Sequence, residues 1–278
     1  MRRVILAGAA GRLGSRLRSD LGDGWEITAL SRGGEPGTVP FEICSPGTVA
    51  GLGLGDCDLV VNCAAVSSTS ECGRNPGMAW AVNCAWPALL ASETAGLGVP
   101  LVHFSTDLVY GGGTPPYREG SPSVPSCLYG WTKLLGDRAV LDRNPLAAVL
   151  RTSVLVGRAG SARPTFSEEL LQGSVRRVWV DSFRHHTSLG WLVSVTSGIA
   201  ESGLAGLFHA AGLHGQSRAA FAEELYRRTG FPGTEPEQGY SPDGVPRNLA
   251  LDMSRACSML PYRPLDPGES IDLEYPTG

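Results

Sequence analysis

The first twenty-one residues constrain the fold of this chain more than any others. An apolar run at 4–7 ends in Gly8-Ala9-Ala10-Gly11-Arg12-Leu13-Gly14, and residues 13–21 then carry apolar side chains at helical spacing. The order is strand, glycine turn, helix. G-x-x-G-x-x-G at that junction lets the backbone pass close to a pyrophosphate, whose charge then rests on the helix N-terminus. In a chain with 37 glycines the loop alone is a weak signal, and its position between a first strand and a first helix is what points to a dinucleotide. Gly8, Gly11, Arg12, Leu13 and Gly14 are the first cofactor-binding candidates.

The alternation continues. Residues 26–31, 39–43 and 59–62 read as further strands, 76–96 and 129–143 as helices, and 101–105 and 147–152 as strands between and after them. Strands alternating with helices imply right-handed crossovers. The expected fold class is α/β, a doubly wound, Rossmann-like parallel sheet with a smaller C-terminal substrate-binding lobe. The first domain is drawn at 1–157. The lobe is drawn at 158–278, partly interleaved with the sheet because 204–211 still reads as a strand and 217–229 as a helix.

Composition removes several classes of function. Hydrophobic residues make up 42% of the chain, enough for a sizeable core, and a net charge of -4 gives no footing for nucleic acid or an acidic membrane surface. No run of about 18 apolar residues suggests a membrane span, and the apolar N-terminus is broken too early by glycines and Arg12 to read as a signal peptide. Cys44, Cys57, Cys63, Cys72, Cys84, Cys127 and Cys257 are odd in number and contain no C-x-x-C pair, so they read as free thiols and no metal site is assigned. The expectation is a cytoplasmic protein with no nucleic-acid or membrane partner; oligomeric state is left open, with a homodimer among the options.

The end of the second strand discriminates between dinucleotides. An acidic residue there would bind the adenosine ribose 2′-hydroxyl and repel a 2′-phosphate. This chain has Ser31 and Arg32, with Arg12 in the glycine loop. Hydroxyl and guanidinium donors favour NADPH, with NADH as the second choice. Cys63, Ala64 and Ala65, after another strand, are small enough to line the cofactor.

Tyr129 and Lys133 stand four residues apart, hence on one helix face. Lys133 is the only lysine among 23 basic residues, and with seven tyrosines in 278 positions this spacing arises by chance about once in forty placements. A nearby cation favours the phenolate, which would bring Tyr129 closer to operating pH for proton delivery to a carbonyl oxygen. Thr106 ends a predicted parallel strand, where open α/β sheets place ligands, and its hydroxyl could hold that carbonyl.

Gly8 to Gly14, Asn62 to Ala65, Val82-Asn83, Ser105-Thr106-Asp107-Leu108-Val109-Tyr110-Gly111, Tyr129-Gly-x-x-Lys133 and Leu150-Arg151-Thr152-Ser153 occur in one order. Together they resemble the extended short-chain dehydrogenase/reductase family. Within it, Ser-Thr-Asp-x-Val-Tyr, Pro116-Tyr117-x-Glu119, 207–212 and Pro246-Arg247-Asn248-x-x-Leu251-Asp252 are most similar to the dTDP-4-dehydrorhamnose reductase branch. The resemblance implies Thr106 as hydroxyl partner, Tyr129 as proton donor, and Lys133 as the residue that holds the nicotinamide ribose and tunes Tyr129. It also puts Glu42 and Ile43 near adenine, and Asp107, Val109 and Arg247 with Thr106 and Tyr129 among the substrate contacts.

Two departures fall in the substrate region. Val154 stands where the family usually has Trp, and 181–187 reads Asp-Ser-Phe-Arg-His-His-Thr in place of a Gly/Pro/Thr-rich loop. His185 and His186 are expected to be solvated on that loop and receive no role. The implied activity is NADPH-dependent reduction of a ketone on a nucleotide-diphosphate deoxysugar of the dTDP-4-keto-6-deoxyhexose type. The rivals are an epimerase or dehydratase of the same fold and a non-catalytic, NADP-binding regulatory subunit.

Overall fold

The computed structural model describes residues 1–43, 49 and 51–276. Strands β1 (Arg2–Ala7), β2 (Trp25–Ser31), β3 (Val39–Pro40), β4 (Leu59–Asn62), β5 (Leu101–Thr106) and β6 (Ala147–Thr152) come first in the chain. β7 (Val154–Val156), β8 (Arg177–Trp179), β9 (Phe183–Ser188), β10 (Gly206–His209), β11 (Gly215–Ser217) and β12 (Glu237–Gly239) follow. Seven strands form one sheet in the order β10-β6-β5-β4-β1-β2-β3, and every pairing in it is parallel. All residues of β4, β5 and β6 are buried, as expected of parallel strands covered on both faces.

Each face of the sheet has its own apolar layer. Leu13 and Leu17 of helix Arg12–Asp20 and Leu192 and Val195 of helix Leu189–Ser202 pack on one face. Leu90 of helix Trp86–Leu97 and Val140 of helix Leu128–Arg143 pack on the other. These last two helices meet closely because Gly136 has no side chain: a Cβ there would come within 2.2 Å of the Asn83 carbonyl oxygen. That carbonyl sits in a π-turn, Ala81–Ala85, inside the long helical stretch expected at 76–96. Pro87 has no N–H to offer Asn83, and the widened turn accommodates the lost bond.

The chain order reverses between β1 and β4, so a crevice opens at their carboxyl ends, the place where open α/β sheets bind ligands. The chain beyond Gly157 serves both halves of the molecule. β10 completes the large sheet beside β6, while β7, β9 and β11 form a small three-stranded sheet above it. A separate apolar cluster of Val156, Leu170, Phe221, Leu225 and Ile271 supports this lobe.

One expectation fails here. Residues 181–187 are not a solvated loop, because 183–188 form β9, the central strand of the small sheet. His185 is 2% exposed, with Nδ1 2.6 Å from the Gly212 carbonyl and Nε2 accepting from the Leu251 N–H at 2.8 Å. His186 is fully buried with its ring stacked on Phe221 at 3.9 Å. The run Arg-His-His-Thr-Ser lacks the apolar alternation that marks a strand; Arg184, His185, Thr187 and Ser188 find hydrogen-bond partners, whereas both His186 ring nitrogens are buried without one.

Candidate active site

The glycine loop gives the crevice its floor. Gly8 has φ +81°, and a Cβ there would lie 2.5 Å from the Ala64 N atom, so β1 and the loop after β4 can approach this closely only at glycine. Gly14 is under the same constraint, with the Gly8 carbonyl oxygen 2.1 Å from where its Cβ would sit. Above them an open cleft is lined by Gly8, Gly11, Ser31, Arg32, Cys63 and Ala64 among others. Glu42, Ile43 and Ala65 line it too, whereas Cys44, next in sequence, lies outside the described residues. Leu13 points into the core at 7% exposure, which leaves only its backbone at the helix start for a ligand.

The loop after β4 is pinned from behind. Asn62 accepts from the Ala64 N–H and from Trp86 Nε1, and Asn83 accepts from the Val66 N–H at 2.9 Å while donating to the Val66 carbonyl. Small side chains thus face the cleft on a backbone with fixed hydrogen bonds. A dinucleotide fits what is present: a cradle that any Cβ would fill, a helix N-terminus, and a wall of small residues.

The adenosine corner differs from the sequence expectation in two respects. Arg12 does not join Ser31 and Arg32, because its Nε donates to the Pro164 carbonyl at 2.6 Å and ties the first helix to the lobe. A carboxylate is present after all: Glu35, four residues beyond the strand end, bonds the Ser31 hydroxyl, which also meets Thr38 at 2.6 Å. The Ser31 bond, with its own backbone and then Arg32 and Arg18, holds the Glu35 carboxyl below its usual range. The lobe contributes one cation that the sequence did not single out, Arg163, which lines the cleft.

Tyr129 and Lys133 lie in helix Leu128–Arg143, which starts behind a Cys127 cap. Tyr129 is 8% exposed and packs with Val66, Cys72 and Ala79, beside the cleft-lining Met78 and Val82. Lys133 is 1% exposed, and its Nζ donates to the Phe104 carbonyl at 2.7 Å and lies 3.2 Å from His103 Nε2. The ammonium is therefore drawn beneath β5, and it does not bring the phenol towards ionisation as expected. Burial pushes the Tyr129 phenol up, with Asp107 acting in the same direction and only the Thr106 hydroxyl bond opposing. The group held at rest is a neutral phenol, the proton-carrying form that a carbonyl reduction needs.

Beneath Lys133 lies a buried polar chain that the sequence reading missed. His103 Nδ1 is 3.0 Å from Asn62 Nδ2, and its Nε2 is 3.8 Å from Asp137, which receives Arg151 Nε at 3.1 Å. Arg151 also donates to the Tyr110 hydroxyl at 2.8 Å. Burial lowers Lys133 to about 8 while the Asp137 carboxylate pulls it up, and burial keeps His103 neutral, well below its usual range. The spacing Tyr129, Lys133, Asp137 repeats every four residues, so Asp137 was open to inference from the same helical face. His103 carries no local signal, and the motif that contains Arg151 says nothing of its partner Asp137.

The substrate side has one firm anchor and three altered assignments. Thr106 caps the turn after β5, its hydroxyl accepting from the Leu108 N–H at 3.2 Å. Asp107 is fully buried and held by Arg184, with Nε at 2.7 Å in a two-pronged pair, and by the Ser153 hydroxyl, so it ties β5 to the small sheet and is not free to contact a ligand. Val109, with no exposed surface, belongs to the core and offers nothing to a ligand. Arg247 is on the surface with its cation already paired to Asp181 at 3.2 Å and Asp243 at 3.8 Å. Arg184, from the departure at 181–187, takes the inner position instead.

Comparison with known proteins agrees with this geometry. The RmlD substrate binding domain family matches residues 1–249. A dTDP-4-dehydrorhamnose reductase of Streptomyces griseus is 32% identical over 282 residues, covering 94% of this chain and 90% of its own. A probable low-salt glycan biosynthesis reductase, Agl14, of Haloferax volcanii is 32% identical over 211 residues, 72% of this chain and 70% of its own. The crystal structure of the Bacillus anthracis dTDP-4-dehydrorhamnose reductase in complex with NADP superposes with a TM-score of 0.85 at 19% identity, covering 99% of both chains. The chain belongs to the RmlD substrate binding domain family, on the extended short-chain dehydrogenase/reductase fold that its motifs resemble.

Proposed function

We propose that this protein is an NADPH-dependent reductase of a ketone on a nucleotide-diphosphate deoxysugar, with the C4 ketone of a 6-deoxyhexose as the reacting group. The observation that carries the reading is the neutral, buried Tyr129 beside Thr106, at the carboxyl end of β5 and next to the dinucleotide cleft. Relatives at 32% identity named dTDP-4-dehydrorhamnose reductase support the substrate class. Bound in the cleft, a reduced nicotinamide supplies the hydride.

This chain's own residues do the rest. The glycine loop and the start of helix Arg12–Asp20 receive the pyrophosphate, while Ser31 and Arg32 meet the adenosine end beside Glu35. Lys133, one helical turn after Tyr129, would hold the nicotinamide ribose by exchanging its Phe104 carbonyl bond for a ribose hydroxyl. Thr106 orients the carbonyl oxygen by a hydrogen bond, and Tyr129 releases its phenolic proton to that oxygen as negative charge develops there. Burial keeps the phenol protonated at rest but makes it a weaker acid, so the transfer is driven by the strong basicity of the alkoxide that forms as hydride arrives.

The test is cofactor absorbance with a panel of nucleotide keto-sugars. The reading expects one NADPH oxidised per keto-sugar consumed. Conversion of sugar with no net cofactor change would favour the epimerase, and NADPH binding with no reaction across the panel would favour the regulatory subunit; either would overturn it.

A further inference from the structure

The lobe holds a second concentration of positive charge that the catalytic residues do not use. Arg184 and Gln216 are directly opposed across the antiparallel pair β9 and β11, so their side chains share a face, and Arg218 follows two residues later. The Arg184 charge is matched by Asp107. That of Arg218 is not: among the described residues its side chain makes no hydrogen bond or ion pair, and its Nε is buried without a partner. The Gln216 amide nitrogen is likewise buried and unpartnered. Arg218 is held in place by Phe166, whose ring lies 5.0 Å below the guanidinium, and by its own N–H, which donates to the Ser182 carbonyl at 3.1 Å.

Asp107 and Glu169 are the carboxylates near enough to act on Arg218, and Arg184 opposes them as a like charge. Two guanidiniums and an amide donor therefore converge on a face whose one committed acceptor is Asp107. Donors that are buried and lack acceptors mark a place built for an anion. Arg218 is also the first residue of the twelve-residue helix Arg218–Thr229, so the helix dipole adds to its charge.

We propose that Arg218, with Gln216, receives the diphosphate of the nucleotide substrate, while the paired Arg184 and Asp107 form the wall beside the sugar. The proposal rests on the nucleotide-sugar reading above and names the residues that serve it. Asp107 directly follows Thr106, so its pair with Arg184 joins this face to the carboxyl end of β5. A hexose bearing its ketone at C4 carries its diphosphate at C1, across the ring, so the anion and the reacting carbonyl need separate partners. The unpartnered donors of Arg218 and Gln216, beside an Arg184 already matched by Asp107, are what assign the diphosphate to Arg218. Arg247, already paired on the surface, is the control.

The test is calorimetric titration of dTDP and UDP into the NADPH-loaded protein, with the free nucleosides as comparison and no turnover required. One or both diphosphates should bind and the nucleosides should bind far more weakly. Arg218→Gln should weaken the diphosphate at least tenfold with NADPH affinity unchanged, Arg218→Lys should recover part of the loss, and Arg247→Gln should change it less than twofold. Wild-type affinity in Arg218→Gln, loss in Arg247→Gln instead, or no binding of either diphosphate would overturn the proposal. Because these readouts need no reduction, a protein that binds diphosphate through Arg218 and yet reduces no keto-sugar would leave this site standing while removing the reductase reading.

Discussion

Burial sets Lys133 at about 8, against 10.5 for an ordinary lysine, and Asp137 is the charge that keeps it from falling further. A lysine lowered in this way means that the folded, cofactor-free protein binds fewer protons than the unfolded chain between about pH 8 and 10.5. Its contribution to stability therefore rises with pH across that window. Activity has the opposite slope, because the ribose-holding ammonium is lost: kcat/KM should decline above about pH 8. Asp137→Asn should move that alkaline limb to lower pH, and an unmoved limb would show that another group titrates. At Tyr129 the expected outcome of Tyr129→Phe is a fall in kcat of about a hundred to ten thousandfold, with NADPH affinity retained by titration. Glu35 makes a third residue-scale prediction: Glu35→Gln removes the charge facing a 2′-phosphate, so the ratio of kcat/KM for NADPH over NADH should rise several-fold, and a falling ratio would contradict its place at that corner.

Among the elements, closeness of approach is what the glycines supply. Gly136→Ala forces a methyl against the Asn83 carbonyl and should cost about 1 to 3 kcal/mol by overpacking, read as a lower melting temperature. The same contact bears on the site, since Asn83 holds the Val66 segment of the cleft wall. The parallel strands were legible in the sequence because full burial writes them as apolar runs, as at Leu59–Asn62, and the first helix because its apolar residues keep a helical period behind the glycine turn. β9 was not legible. Its residues are polar, and its strand character comes from β7 and β11 on either side and from Phe221 stacked on His186, contacts that no local pattern announces. The mistaken solvation of His185 and His186 follows directly from that missing context.

At the scale of the whole molecule, the cleft at the switch point of the sheet meets a lobe that lends it Arg163. Tyr129, Lys133 and Thr106 stood out as candidates from spacing and order, because a helix face and a strand end are local features. The supports did not: His103, Arg151 and Arg184 act across 30, 14 and 77 residues of sequence on Lys133, Asp137 and Asp107. Glu35 was missed because a turn returned it to the strand end it had left. The central claim is that hydride passes to a ring ketone while Tyr129 gives the proton, and one measurement reaches it directly. With NADPH deuterated at nicotinamide C4 and a dTDP-4-keto-6-deoxyhexose, mass spectrometry of the product should find one deuterium on the new alcohol carbon for each cofactor oxidised. Product without deuterium, or unchanged sugar beside intact bound cofactor, would contradict the account.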